Sequence, residues 1–290
     1  MLVIAFLGIG KMGRPMAYNL ASAGFRVKCW NRTSEKLESL PSILEAHEDL
    51  QRTIAGADVV ISMLSDGSAT KKVISKLENK VLSSIKTWIE MASVLPQEAI
   101  DQSAFFQKNN ITYLDAPVSG GTVAANNRNL AIMVGGEDDV YKEAIKIFEP
   151  LGKSVLVGPC GAGQLAKLAN QAIVGITIGA VAEAVLLLER GGVNVDSVRE
   201  ALSGGFADSA ILQQHGKRMS DRNFEAGGSI KTQLKDMQNI QYTAQMFGVE
   251  LPMVDKVTDR YLALSDDPSN LERDHSALFL ELQKRNSLID

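Results

Sequence analysis

Short apolar runs recur through the first half of this chain and stop at Gly163. They fall at residues 2–7, 25–30, 57–64, 87–91, 111–114, 130–134 and 154–157, with helical spacing between them, as at 13–23 and 140–148. Runs this short, without alternation, read as strands buried on both faces. Strands that alternate with helices predict a doubly wound α/β unit with a parallel sheet, assigned here to residues 1–160. After Gly163 only helical patterns remain, at 164–190, 196–202, 209–219, 230–247 and 252–264. Gly191-Gly192 closes the first of these, and Asp196 is the expected N-cap of the second. Residues 161–290 therefore read as an all-helical domain, joined to the first by its own long opening helix.

The first strand leads straight into Gly8-Ile9-Gly10-Lys11-Met12-Gly13, which opens the first helix. In that context the three glycines have separate jobs: a tight turn, close approach of backbone to a pyrophosphate, and packing of helix on strand. The helix N-terminus adds free N–H groups and partial positive charge. This is a dinucleotide cradle. A carboxylate at the end of the second strand would hydrogen-bond the adenine ribose and favour NAD. The chain has Asn31-Arg32-Thr33 instead, and a guanidinium with a hydroxyl suits a 2′-phosphate. NADP(H) is the expected cofactor, with NAD(H) as the alternative.

Asp115-Ala-Pro-Val-Ser119-Gly120-Gly121 follows the strand at 111–114, where open α/β sheets bind ligands. A serine hydroxyl followed by two unshielded glycine N–H groups suits a carboxylate. Lys167 and Asn170 share a helix face in Gly161-Ala-Gly163-Gln-Leu-Ala-Lys167-Leu-Ala-Asn170, an otherwise apolar segment. An ammonium group there, offered together with a nicotinamide, can move a proton alongside a hydride, which is alcohol–carbonyl interconversion. Lys231 and Lys235 repeat the spacing on a later helix, next to Asp236; alone they would read as an exposed basic face. His47, His215 and His275 lie in polar sequence and are expected at the surface, without metal-ligand spacing.

A net charge of -4 with no basic run gives no reason to expect a nucleic-acid partner. Cys29 and Cys160 are far apart, which fits a reducing, cytoplasmic setting. The apolar stretch 173–188 is short for a membrane span and contains Glu183, so it is expected to be a buried helix rather than a membrane anchor.

Together the motifs resemble those of the β-hydroxyacid dehydrogenases, the family of 3-hydroxyisobutyrate, tartronate-semialdehyde and glyoxylate/succinic-semialdehyde reductases. The likeness runs through residues 8–20, 115–121 and 161–170 and through Leu234-Lys235-Asp236. It implies Lys167 as catalytic acid/base, and Ser119, Gly120, Gly121 and Asn170 around the substrate carboxylate. Met63, Leu64 and Ser65 would line the adenosine side of the cofactor, and Ser93 would approach its nicotinamide half. Lys235 would reach cofactor or substrate, with Asp236 beside it. Lys231 and the Asn-Arg-Thr run point to the glyoxylate/succinic-semialdehyde branch.

Two departures stand out. The family's Asp-x-Ser-Thr reads Glu90-Met-Ala92-Ser93, and Thr232 and Gly228 stand where that branch has histidine and phenylalanine. The resemblance implies NADP(H)-linked reduction of a small carboxylate-bearing aldehyde to its hydroxy acid, by a homodimer or homotetramer. The alternatives are an NAD(H)-linked 3-hydroxyisobutyrate or tartronate-semialdehyde type, an imine reductase, and a non-catalytic NADPH-binding protein.

Overall fold

The computed structural model describes residues 1–225 and 227–289. It divides into two compact units, Met1–Lys167 and Leu168–Asp290. In the first, nine strands form one sheet: β1 (Val3–Leu7), β2 (Arg26–Trp30), β3 (Glu45–Ala46), β4 (Val59–Ser62), β5 (Thr87–Glu90), β6 (Thr112–Asp115), β7 (Val118–Ser119), β8 (Leu130–Gly135) and β9 (Gly152–Gly158). The order is β3-β2-β1-β4-β5-β6-β8-β7, with β9 also on β8. Pairing is parallel from β3 through β6, so the chain reverses its sheet direction at β1, where the glycine loop begins.

The expectation of a wholly parallel sheet needs one correction. β8 runs antiparallel to both β6 and β7. Between β7 and β8 the chain has only the short helix Gly121–Asn126, too little to carry it across a face of the sheet as a parallel crossover requires. Two-residue strands such as β3 and β7 leave no periodic signal, and neither was foreseen.

All four residues of β4 are buried, as are the last four of β1. Their side chains divide between two apolar layers. One contains Ile4, Phe6, Met16, Leu20, Ile61, Ile89 and Leu114. The other contains Ala5, Leu7, Val60, Trp88, Phe106 and Tyr113. Trp88 stacks on Phe106 with ring centroids 4.6 Å apart.

The second unit packs Ile178, Val185, Met237, Tyr261, Leu278 and Phe279 into one core. Its helices include Val195–Leu202, Ile230–Phe247, Pro252–Ser265 and Leu278–Arg285, the last not foreseen. Asn194, not Asp196, caps the Val195–Leu202 helix: its side chain accepts the Ser197 N–H at 2.8 Å. The segment 209–219 contains a π-helix at Leu212–Gly216.

The long helix runs Ala162–Arg190, 29 residues, so it is long and apolar enough to cross a membrane. Its most apolar window is only 39% buried, against the expectation of a buried helix. Ile173, Ala180 and Leu187, at seven-residue spacing, all face solvent.

Candidate active site

The glycine loop has a physical reason for each glycine. Gly8 has φ +105°, and a Cβ there would strike the Met63 carbonyl oxygen. A Cβ on Gly13 would strike the Gly8 carbonyl oxygen, so the helix Gly13–Ser22 can lie against β1 only with glycine at its first position. At Gly10 nothing lies within 4 Å of the Cβ direction, so the backbone is bare where a pyrophosphate would approach. The loop therefore fits a dinucleotide, with Ile9 buried, Met12 half-buried and Lys11 exposed.

Asn31 holds this loop to the end of β2. Its Oδ1 accepts the Ile9 N–H at 3.0 Å, and its Nδ2 donates to the Thr33 carbonyl at 2.9 Å. Its amide is thus engaged by the backbone, which leaves Arg32 and Thr33 as the exposed groups at that strand end. Met63 and Leu64 follow β4 and line Gly8. Ser65 is exposed and donates to Asp66, whose carboxylate caps the helix Gly67–Ile74.

The candidate substrate loop lies at the end of β6. Ser119 closes β7 and is half-buried; Gly120 and Gly121 are exposed, with φ +126° and +65°. Asp115, the first residue of that motif, has a different job from the loop it introduces. Fully buried, its carboxylate accepts the backbone N–H of Gly161 and of Gln164, each at 2.8 Å. It satisfies two donors that every helix leaves unpaired at its start, and it ties the Lys167 helix to the end of β6. Burial raises its pKa; the two N–H groups act in the opposite sense. Gly163 is needed in the same place, because a Cβ there would lie 2.5 Å from the Met133 carbonyl oxygen and 2.6 Å from that of Asp115. Lys167 follows on this helix and is 9% exposed.

Ser93 is half-buried in the loop after β5. Ala92 N–H, one residue earlier, donates to Glu90 Oε1 at 2.9 Å. Glu90 is fully buried, which pushes its pKa up to about 7 against the pull of the Ala92 N–H and the Thr70 and Ser62 hydroxyls. Leu95 N–H donates to Glu98 at 2.9 Å.

In the second unit Asn170 donates to Gln171 at 2.9 Å, and Gln171 donates to Asp236 at 2.7 Å. Asp236 is buried and lies 3.3 Å from Lys235 Nζ, whereas Lys231 is exposed. His215 and His275 are not the isolated surface residues the sequence suggested. Their Nε2 atoms are 3.2 Å apart, His215 Nδ1 is 3.4 Å from Asp274, and His275 Nδ1 is 3.4 Å from Gln233. Burial would raise the Asp274 carboxyl, but the His215 hydrogen bond, the His275 charge and Ser276 hold it well below the usual carboxylate range. His215, Asp274 and His275 each offer a ligand atom, all within 4.8 Å of one another, so side chains expected to lie apart form a group that could hold a metal ion. His47 lies 3.9 Å from Glu45.

Comparison with known proteins places this architecture. Residues 3–159 match the NAD binding domain of 6-phosphogluconate dehydrogenase, and residues 161–282 match the NAD-binding family of NADP-dependent 3-hydroxyisobutyrate dehydrogenase. The chain belongs to the β-hydroxyacid dehydrogenase family. It is 35% identical to 2-hydroxy-3-oxopropionate reductase of Escherichia coli, over 98% of this chain and 99% of that one. It is 30% identical to a probable mitochondrial 3-hydroxyisobutyrate dehydrogenase-like protein of Arabidopsis thaliana, over 98% and 86%. The structure of Mycobacterium tuberculosis 3-hydroxyisobutyrate dehydrogenase with L-serine superposes with a TM-score of 0.87 at 27% identity, covering 98% of this chain and 99% of that one. An imine reductase from Pseudomonas, at 20% identity and TM-score 0.66, shares the fold alone. This family member is thus an NAD(P)-dependent β-hydroxyacid dehydrogenase of the 3-hydroxyisobutyrate dehydrogenase type.

Proposed function

We propose that the enzyme reduces a short aldehyde acid, of the glyoxylate or succinic semialdehyde type, to the hydroxy acid with NADP(H), and that Lys167 is its general acid. The observation that carries this reading is the setting of Lys167: a buried lysine on a helix whose first turn is fastened to the end of β6, four residues before the Ser119-Gly120-Gly121 loop. The exposed Arg32 and Thr33 after β2, with no carboxylate there, support the phosphorylated dinucleotide. The E. coli relative's name makes 2-hydroxy-3-oxopropionate a member of the substrate class to test.

The Gly8–Gly13 loop would hold the pyrophosphate and Arg32 the 2′-phosphate. A bound reduced nicotinamide supplies hydride to the carbonyl carbon. Ser119 Oγ and the N–H groups of Gly120 and Gly121 hold the carboxylate and so fix which face of the carbonyl is presented. Lys167 Nζ donates a hydrogen bond to the carbonyl oxygen and gives up a proton as negative charge develops there; in the reverse direction the neutral amine takes the hydroxyl proton. Help of this kind is worth on the order of 10²–10⁴ in rate. Asn170, Lys235 and Asp236 belong to the second unit, and their expected substrate contacts rest on the family resemblance.

The test is a panel of glyoxylate, succinic semialdehyde, 2-hydroxy-3-oxopropionate and methylmalonate semialdehyde with NADPH and with NADH, repeated with Lys167→Ala. NADPH should support turnover of at least one acid. The variant should lose ~10²–10⁴ in kcat while its NADPH affinity stays within a few-fold. Near-normal turnover by the variant would refute the role of Lys167. The exposed stripe Ile173, Ala180 and Leu187 supports a homodimer or homotetramer, in which a second copy covers it. Sedimentation of a monomer at micromolar concentration would reject the assembly.

A further inference from the structure

We propose that Gln164 is a positioning residue for this reaction, whose side-chain amide grips the backbone on both sides of Ser93 and so fixes Ser93 against the helix that carries Lys167. Gln164 is fully buried. Its Oε1 accepts the Val94 N–H at 3.0 Å, and its Nε2 donates to the Ala92 carbonyl at 2.9 Å. Its own backbone N–H goes to Asp115 at 2.8 Å. One residue therefore joins the loop after β5, the end of β6 and the first turn of the long helix, and Lys167 comes three residues later on that helix, near the same face. The inference rests on the role assigned above to Lys167 and Ser93.

The grip requires a donor and an acceptor on the same planar group. Methionine fills a similar volume but offers neither. A carboxylate offers the acceptor for Val94 and sets a second negative oxygen against the Ala92 carbonyl. A protonated carboxyl supplies both partners, so it can replace the amide only in that form. The charged or titratable groups on the neighbouring elements include Asp115 and Tyr113 on β6, Glu90 at the end of β5, Glu98 after the loop, Cys160 just before the helix, and Lys167 on the same helix. All of these are common to wild type and variants, so a pH limb seen in one variant alone belongs to the introduced group.

The experiment compares wild type, Q164M and Q164E for kcat and for KM of cofactor and acid from pH 5 to 9, using the best acid from the panel. Loss of an alignment on the scale of an ångström costs on the order of 10²-fold. Q164M should therefore lose ~10–10²-fold in kcat across the whole range, with the cofactor KM within a few-fold. Q164E should approach wild type at the acid end and fall to the Q164M level as its carboxyl ionises. That limb should be absent from wild type and Q164M. If Q164M does not fold, the Q164E limb carries the test alone.

A wild-type kcat in Q164M, or a uniform Q164E deficit without the extra limb, overturns the grip. Lys167 catalysis then stands, provided Lys167→Ala remains inactive. Absence of wild-type turnover on every acid instead overturns the functional reading and takes the grip with it.

Discussion

Glu90 makes the structure's most quantitative demand. Its side chain sits at the end of β5, between β4 and β6, with no solvent exposure. Oε1 accepts the Ala92 N–H, and the Thr70 and Ser62 hydroxyls act on the carboxyl in the same sense, against its burial. Burial raises the carboxyl from 4.5 to about 7. The sign follows from proton binding. Between those values the folded protein holds a proton that the unfolded chain has released, so stability is highest below the unfolded value and falls as pH rises through 7. A gap of about 2.5 units corresponds to roughly 3 kcal/mol between pH 4 and pH 8.5. Glu90→Gln removes the ionisation. The new amide adds an offset that does not change with pH, so the quantity to read is the pH dependence of the difference between variant and wild type. Both tryptophans, Trp30 and Trp88, lie in the unit Met1–Lys167. Urea unfolding followed by tryptophan fluorescence therefore reports the unit that contains Glu90. The difference should move in favour of the variant by about 2–3 kcal/mol from pH 5 to pH 8.5. Curves that stay parallel to within ~0.5 kcal/mol would refute the claim that burial keeps Glu90 protonated in the fold.

Other consequences follow from the same geometry. Gly13→Ala should abolish NADPH binding in a fluorescence titration, because its Cβ would strike the Gly8 carbonyl; retained affinity would contradict the packing described for the loop. Arg32→Ala should raise the KM for NADPH by roughly tenfold and leave that for NADH unchanged, an effect of about 1.4 kcal/mol on one charge-assisted contact; equal effects on both would deny the 2′-phosphate contact. Asp115→Ala should cost ~1–2 kcal/mol in urea unfolding through the lost helix cap, together with kcat. Burial pushes the Cys29 and Cys160 thiols up to about 12, so native protein at pH 8 should react with a thiol-directed disulfide reagent far more slowly than urea-unfolded protein.

Most strands were legible because a sheet buried on both faces forces uninterrupted apolar runs, and the glycine loop was legible because its three glycines fall within six consecutive residues, although the demand on Gly8 comes from the distant Met63 carbonyl. The polar groups that hold the site leave no comparable mark. Gln164 reads as an ordinary helical residue, since its partners Ala92 and Val94 lie 72 and 70 positions earlier. His215 and His275 meet across 60 residues, and no local spacing announces the pair. Asp115 was visible only as the start of a motif; its capping of a helix 46 residues away depends on how β6 and β8 end side by side. Glu90 was visible as a departure from the family's aspartate, but its burial follows from the strands that flank it.

The loop that contains Ser93 is bounded by local and long-range contacts: nearby Glu90 takes the Ala92 N–H and Glu98 the Leu95 N–H, while distant Gln164 takes the Ala92 carbonyl and the Val94 N–H. An irregular segment secured at four backbone groups should exchange its amide hydrogens slowly, as a strand does. Hydrogen exchange should therefore show Ala92 and Val94 protected in the wild type, with Val94 losing protection selectively in Q164M while Ala92, still held by Glu90, keeps its own. Fast exchange at both positions in the wild type would mean that the loop opens freely, and that buried side chains remote in sequence do not set its geometry.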